Sequence, residues 1–174
     1  MKRAIMVGAA LIAFTSFANA ESLAEKTGIN SVLGVSPSTS DFVRQVAISD
    51  MFEIESSRLA KEKGDVAATA FANHMISAHE KTSQQLKSLV SERGLKVELP
   101  AGLDKSHEGK LDDLKKLSGG DFTKSYKDEQ VKAHKAAVDL FDRYAKAGDN
   151  DSVKQWAATT LPELRAHLDI AEKL

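Results

Sequence analysis

Apolar residues recur every three or four positions along four long stretches of this chain, and no stretch alternates with the two-residue period of a strand. The first stretch runs from about Asp41 to Lys63 and stops at Gly64. Its apolar positions, Phe42, Val43, Val46, Ile48, Met51, Phe52, Ile54 and Leu59, spread widely around the circumference, which predicts a helix buried on more than one side. Ser38, Thr39 or Ser40 can cap it, with Asp41 well placed in the first turn. The second stretch starts near Asp65 and ends before Gly94, with Ala68, Phe71, Met75, His79, Thr82, Leu86 and Leu89 along one face. The third starts near Asp121, after Gly119-Gly120, and its stripe is Phe122, Tyr126, Ala133, Ala137, Phe141 and Tyr144. The fourth starts near Asp151, after Gly148, and aligns Val153, Trp156, Ala157, Thr160, Leu161, Leu164, His167, Leu168 and Ala171.

The connections decide how these helices are arranged. Turns of a few residues at Lys63-Gly64 and Gly148-Asp149 make each pair an antiparallel hairpin. Between the hairpins lie about 27 residues, Gly94 to Gly120, with an amphipathic piece at Leu103, His107, Leu111, Leu114 and Leu117. That segment is long enough to run the length of a bundle. The expected fold is all-α, a ferritin-like four-helix bundle of two antiparallel hairpins joined by a long crossover containing a short helix. A five-helix antiparallel bundle, with the crossover helix folded against one end, is the alternative.

The two ends of the chain read differently from its middle. Residues 1–20, MKRAIMVGAALIAFTSFANA, have the basic start, short apolar run and small-x-small ending of a secretory signal peptide, with cleavage after Ala20. The apolar run is shorter than the roughly 20 residues a spanning helix needs, and no later segment approaches that length. Residues 21–39 hold two glycines, a proline and several Ser and Thr with no sustained period, which predicts a flexible N-terminal arm. Residues 40–174 form the helical bundle domain. The expected location is the periplasm, with secretion to the medium as second choice.

Composition narrows the function without identifying it. The chain contains no Cys, so in an oxidising compartment its stability must come from packing. Its 24 basic and 25 acidic side chains become 22 and 25 once Lys2 and Arg3 are removed, about −3 in all. No basic excess remains to displace the counterions of a nucleic acid, so none is expected as a partner. The run from Lys105 to Lys116 alternates charge around leucines, as a solvated amphipathic helix does.

Four segments carry a family likeness: GINSVLGVSPSTSDFV in the arm, DMFEIESSRLA and FANHMISAHEKT in the first two helices, and TTLPELRAHLDIAEKL in the last. Together they resemble the bacterial domain-of-unknown-function 4142 family, Leu161-Pro162 with His167 being the most distinctive part. The resemblance implies an exported ferritin-like bundle and brings no settled activity with it.

His79, His134 and His167 stand on three different helices, each within the apolar arc of its own helix. Three inward imidazoles, with a carboxylate from Glu53 or Glu55, are the donor set of a mononuclear site for zinc or another divalent transition metal. Glu53 shares the helical wheel with Phe42, Val46 and Ala60 and is the better placed of the two. The competing expectation, and the one favoured on sequence, is that each histidine fills a core position and makes one hydrogen bond, with no cofactor bound. A di-iron centre is disfavoured because the chain has no Glu-x-x-His pair to supply bridging carboxylates. Met51 and Met75 suit gap-filling better than a copper(I) site. His74 and His107 are expected to be exposed or structural. Pro162, inside the last helix, frees the carbonyl of Ala158, either toward solvent in a bend or toward the bundle interior.

No nucleophile motif, phosphate loop or His-Glu-x-x-His is present. The expected function is therefore a non-enzymatic binding or envelope-stress protein, with metal binding at Glu53, His79, His134 and His167 as the alternative. Intact-mass measurement of the exported protein should give Glu21 as the first residue; retention of residues 1–20 would overturn the export assignment.

Overall fold

The computed structural model describes residues 22–174; the signal peptide read over 1–20 lies outside the described residues. Two short helices, α1 (Leu23–Lys26) and α2 (Ile29–Leu33), precede the long helices α3 (Thr39–Lys63) and α4 (Val66–Glu92). The crossover carries α5 (Lys105–Lys116), and α6 (Gly119–Ala147) and α7 (Asp151–Ala171) complete the bundle. There is no strand among the described residues.

Four of the five longer helices begin where a side chain supplies a cap, α6 being the exception. The side chains of Ser38, Asp65, Asp104 and Asn150 accept hydrogen bonds from backbone N–H groups in the first turns of α3, α4, α5 and α7. Helix α6 starts two residues earlier than Asp121, at Gly119. Helix α7 is continuous through Pro162. Pro162 and Ala158 are both exposed, so the freed carbonyl turns to solvent, not to the core.

Contacts fix the direction of each helix. At the start of α3, Phe42 stacks on Tyr144 near the end of α6, with centroids 4.1 Å apart. Toward the end of α3, Ser57 pairs with Tyr126 near the start of α6 at 2.9 Å. Helices α3 and α6 are therefore antiparallel. Helices α4 and α7 are antiparallel too, since Trp156 early in α7 donates to Gln85 late in α4 (3.2 Å) while His167 meets His74. It follows that α4 and α6 point the same way, and the connection over 93–118 has to return along the bundle. Helix α5 makes that passage against α3 and α6, burying Leu111 and Leu114.

The arm was expected to lack helical structure, and α1 and α2 are the difference. Arg143 of α6 is their anchor: it pairs with buried Glu25 at 3.1 Å and donates to the carbonyl of Val35 at 2.6 Å. Ser31 adds a 2.8 Å bond to Asp139. These partners lie more than a hundred positions away, out of reach of any local pattern.

Along the bundle axis the core divides in two. One apolar cluster gathers Phe42, Val46, Leu86, Phe141, Tyr144 and Val153 at the end where α3 begins. The other gathers Ala60, Phe71, Met75, Phe122 and Tyr126 at the opposite end. Met75 is fully buried in this second cluster. Asp50, Glu53, Ser56, His79, Gln130, His134 and His167 occupy the level between the clusters, all buried.

Gly148 closes the α6–α7 turn where space has run out. A Cβ at this position would lie 2.5 Å from Cε1 of Tyr144, whose ring is buried against Phe42 and cannot retreat. Gly148→Ala should therefore destabilise by about 1–3 kcal/mol through overpacking. Gly109, exposed inside α5 with nothing within 4 Å of its added Cβ, is the control. Gly109→Ala should stabilise by about 0.5–1 kcal/mol. Urea unfolding of the two variants should move the midpoint in opposite directions.

Candidate metal centre

His79 and His134 share a level because the two turns lie at opposite ends of the bundle. At ~1.5 Å per residue, His79 sits roughly 22 Å from the α3–α4 turn and His134 roughly 21 Å from the α6–α7 turn. The 29 residues of α6 span roughly 43 Å, so these are the same level counted from the two ends. His79, His134 and His167 each present one ring nitrogen, and these nitrogens all lie within 4.8 Å of one another. The ring centroids are 5.5–5.8 Å apart, and the three residues are 1–3 % exposed.

Two of the rings are oriented by bonds at Nδ1. His79 Nδ1 lies 2.8 Å from Oδ1 of Asp50, whose other oxygen accepts from Ser83 at 3.1 Å. His134 Nδ1 donates to the carbonyl of Gln130, one turn back on α6, at 2.9 Å. In both rings Nε2 is buried with no partner. His167 has no partner at either nitrogen. The expectation of one hydrogen bond per histidine thus holds for two rings and fails for the third.

Glu53 lies beside this group, 1 % exposed, with neither carboxylate oxygen hydrogen-bonded. Its Oε1 is 3.9 Å from Nδ1 of His134, the nitrogen already engaged by Gln130, and the carboxylate is not among the atoms that converge within 4.8 Å. Glu55 does not join the site; it is solvated and paired with Arg58. His107 is bonded to Asp104 on the crossover, outside the cluster. His74, set aside on sequence as exposed or structural, is exposed, but its ring stands edge-on to His167 with centroids 5.1 Å apart.

Asp50 is the functional residue that the sequence did not single out. Its spacing of three from Glu53 was the available signal, since it places both carboxylates on one face of α3.

Burial sets the charge state of the centre. It lowers His134 to about 4 and His167 to about 3, with the nearby charge of His79 acting in the same direction. Both rings are accordingly neutral at pH 7 and have a lone pair to offer. Burial also pushes Glu53 up to about 7, against the attraction of His79 and of the Gln130 amide, which lies nearby but donates its hydrogen bond to Ser56. At His79 burial acts downward, but the hydrogen bond and charge of Asp50 outweigh it and the pKa is raised. Asp50 itself is raised by burial.

A 2.0–2.1 Å metal–nitrogen bond in tetrahedral geometry requires nitrogens ~3.3–3.4 Å apart. The rings, spread over distances up to 4.8 Å, would draw inward by roughly 1 Å on coordination. The donors are nitrogen and oxygen only, which suits zinc and its divalent neighbours better than a soft monovalent ion.

A family profile described as Domain of unknown function (DUF4142) matches residues 24–174. No curated protein matches the chain, and no solved structure does. Among the described residues, no helix is long and apolar enough to cross a membrane.

The lowered pKa of His167 gives a sign for the effect of acid on the metal-free protein. An unfolded histidine takes up a proton near pH 6.5, whereas His167 in the bundle stays neutral down to about pH 3. Between those values the unfolded state binds more protons, and stability falls as pH falls. With chelator present, unfolding free energies measured between pH 7 and 4 should decline less steeply in His167→Gln than in the unaltered protein. An unchanged slope would show that His167 does not titrate differently on unfolding.

Proposed function

This chain belongs to the DUF4142 family, whose description assigns no activity, and we propose that it is an exported, non-enzymatic metal-binding protein built on a ferritin-like frame. Its ligands are His79, His134 and His167, with Glu53 as the fourth, and its metal is one divalent transition ion of the zinc class. Periplasmic location follows from the signal peptide read in the sequence.

One observation carries this proposal. In a single buried layer, four imidazole nitrogens and both oxygens of Glu53 have no hydrogen-bond partner. A buried polar group left unpaired costs about 1–3 kcal/mol, so evolution toward a merely structural core would have paired or replaced such groups. A metal ion would remove most of that cost, taking one lone pair from each ring and the charge of the carboxylate, and would leave one nitrogen of His167 without a partner. The bonds at Nδ1 of His79 and His134 are what ligands need to hold their tautomer and direction. Asp50 with His79 forms a carboxylate–histidine pair of the kind that stands behind metal sites.

The donor set also limits the chemistry. Three histidines and one carboxylate fill four positions, the closed arrangement of a binding site rather than the open one of a hydrolytic centre. A di-metal oxidoreductase needs bridging carboxylates, and the sequence has no Glu-x-x-His pair.

Protein purified from periplasm without a histidine tag should carry close to one transition-metal ion per chain by elemental analysis. EDTA should lower its melting temperature, and added zinc should restore it by mass action. His167→Gln should abolish this sensitivity. Asp50→Asn, which leaves all four ligands in place, should weaken zinc binding by about 10–100-fold. Metal-free protein whose melting is indifferent to EDTA and zinc would refute the site.

A further inference from the structure

A cleft of about 830 Å³ opens between α3, α5 and α6, and its floor reaches Asp50 and His79. Its volume is in the range of small-molecule sites. Most of its wall is apolar, from Val46 and Ile48 on α3, Ala136, Ala137 and Leu140 on α6, and Leu164 on α7. Arg44 and Gln45 line the cleft, and Nη1 of Arg44 and Nε2 of Gln45 are both shielded from solvent with no acceptor.

The charges around the cleft leave a cationic remainder. Each acid in its lining is already engaged: Glu25 by Arg143, Asp104 by His107, and Asp50 by His79 and Ser83. Lys110 and Lys132 at the rim share Glu129 at 3.3 and 2.8 Å. Among the described residues, Arg44 and Lys105 have no ion-pair partner. Arg44 is half-buried, and with its unused Nη1–H turned into the cleft it would meet an anion through a charge-assisted and often bidentate bond. Gln45 adds a neutral donor beside it.

From this geometry we infer that the cleft is a binding site for a small organic monoanion, a carboxylate with an apolar body, whose head is held by Arg44 and Gln45 while its body lies along the alanine face of α6. The site shares a floor with the metal centre but uses none of its unpartnered atoms for recognition, and it stands whether or not metal is bound. Recognition of an apolar body separates this class from inorganic phosphate, which would use the donors and leave the alanine wall unfilled.

Octanoate, 1-octanol and inorganic phosphate are suitable probes, titrated into the full mature chain by calorimetry and by amide chemical shifts. Octanoate should bind, with shifts concentrated at Arg44, Gln45 and the Ala133 to Ala137 segment. The alcohol and phosphate should each bind at least tenfold more weakly. Arg44→Gln should weaken octanoate at least tenfold, and Ala136→Trp, a change at an exposed position that fills the cleft, should block it even if the Arg44 variant fails to fold. His167→Gln should bind octanoate unchanged, which separates this site from the metal centre. Equal affinity for the alcohol, phosphate binding as tight as octanoate, retention of octanoate in Ala136→Trp, or shifts elsewhere on the bundle would each overturn the assignment.

Discussion

A layer of buried polar side chains across the middle of the core is the constraint on which this structure turns. Asp50, Glu53, His79, Gln130, His134 and His167 stand where an ordinary bundle would place leucines, and apolar clusters close the core on either side. Taking such groups out of water is costly unless they find partners. Here the layer is half satisfied: the Nδ1 atoms of His79 and His134 are bonded, and the atoms facing the centre are not. Partly satisfied polar networks are the least stable kind, so the aromatic clusters at the two ends must supply the stability the middle forgoes. That division of labour explains the placement of Phe42 on Tyr144 at one end and of Phe122 beside Tyr126 at the other.

The same layer explains the position of the crossover. Helix α3 touches α4, α5 and α6, and it is the only long helix to contribute carboxylates to the layer. Helix α5 passes on its outer side and places His107 against Phe52, one residue from Glu53. The cleft opens above this passage, where α6 presents alanines instead of larger side chains, and α3 turns Arg44 and Gln45 toward it. Thus α3 places residues 50 and 53 in the polar layer and residues 44 and 45 at the cleft along the same helix.

Family membership and geometry contribute different things. The DUF4142 match covers the bundle from α1 to its last residue and assigns no chemistry. The chemistry comes from unpartnered atoms, which a family profile does not record. His167 is the clearest instance: periodicity alone would read it as one more inward position on α7, yet neither of its nitrogens has anything to bond.

By itself the sequence determined everything that rests on neighbours along the chain. Helical period, capping residues, short turns and crossover length are local properties, and they yielded the four long helices, the crossover helix, the hairpins and the inward direction of His79, His134 and His167. Counting residues from the turns also put these side chains near mid-bundle, although the common level emerged only once the turns were known to lie at opposite ends. Three features were decided by tertiary structure alone. Glu25 is held by Arg143, 118 positions away, and so α1 is folded onto a bundle that its own composition does not favour. Asp50 became the partner of His79 through the packing of α3 on α4. Which nitrogens were left without partners depended on every helix at once, because hydrogen-bond satisfaction is a property of the assembled surroundings, whereas periodicity is a property of a single helix.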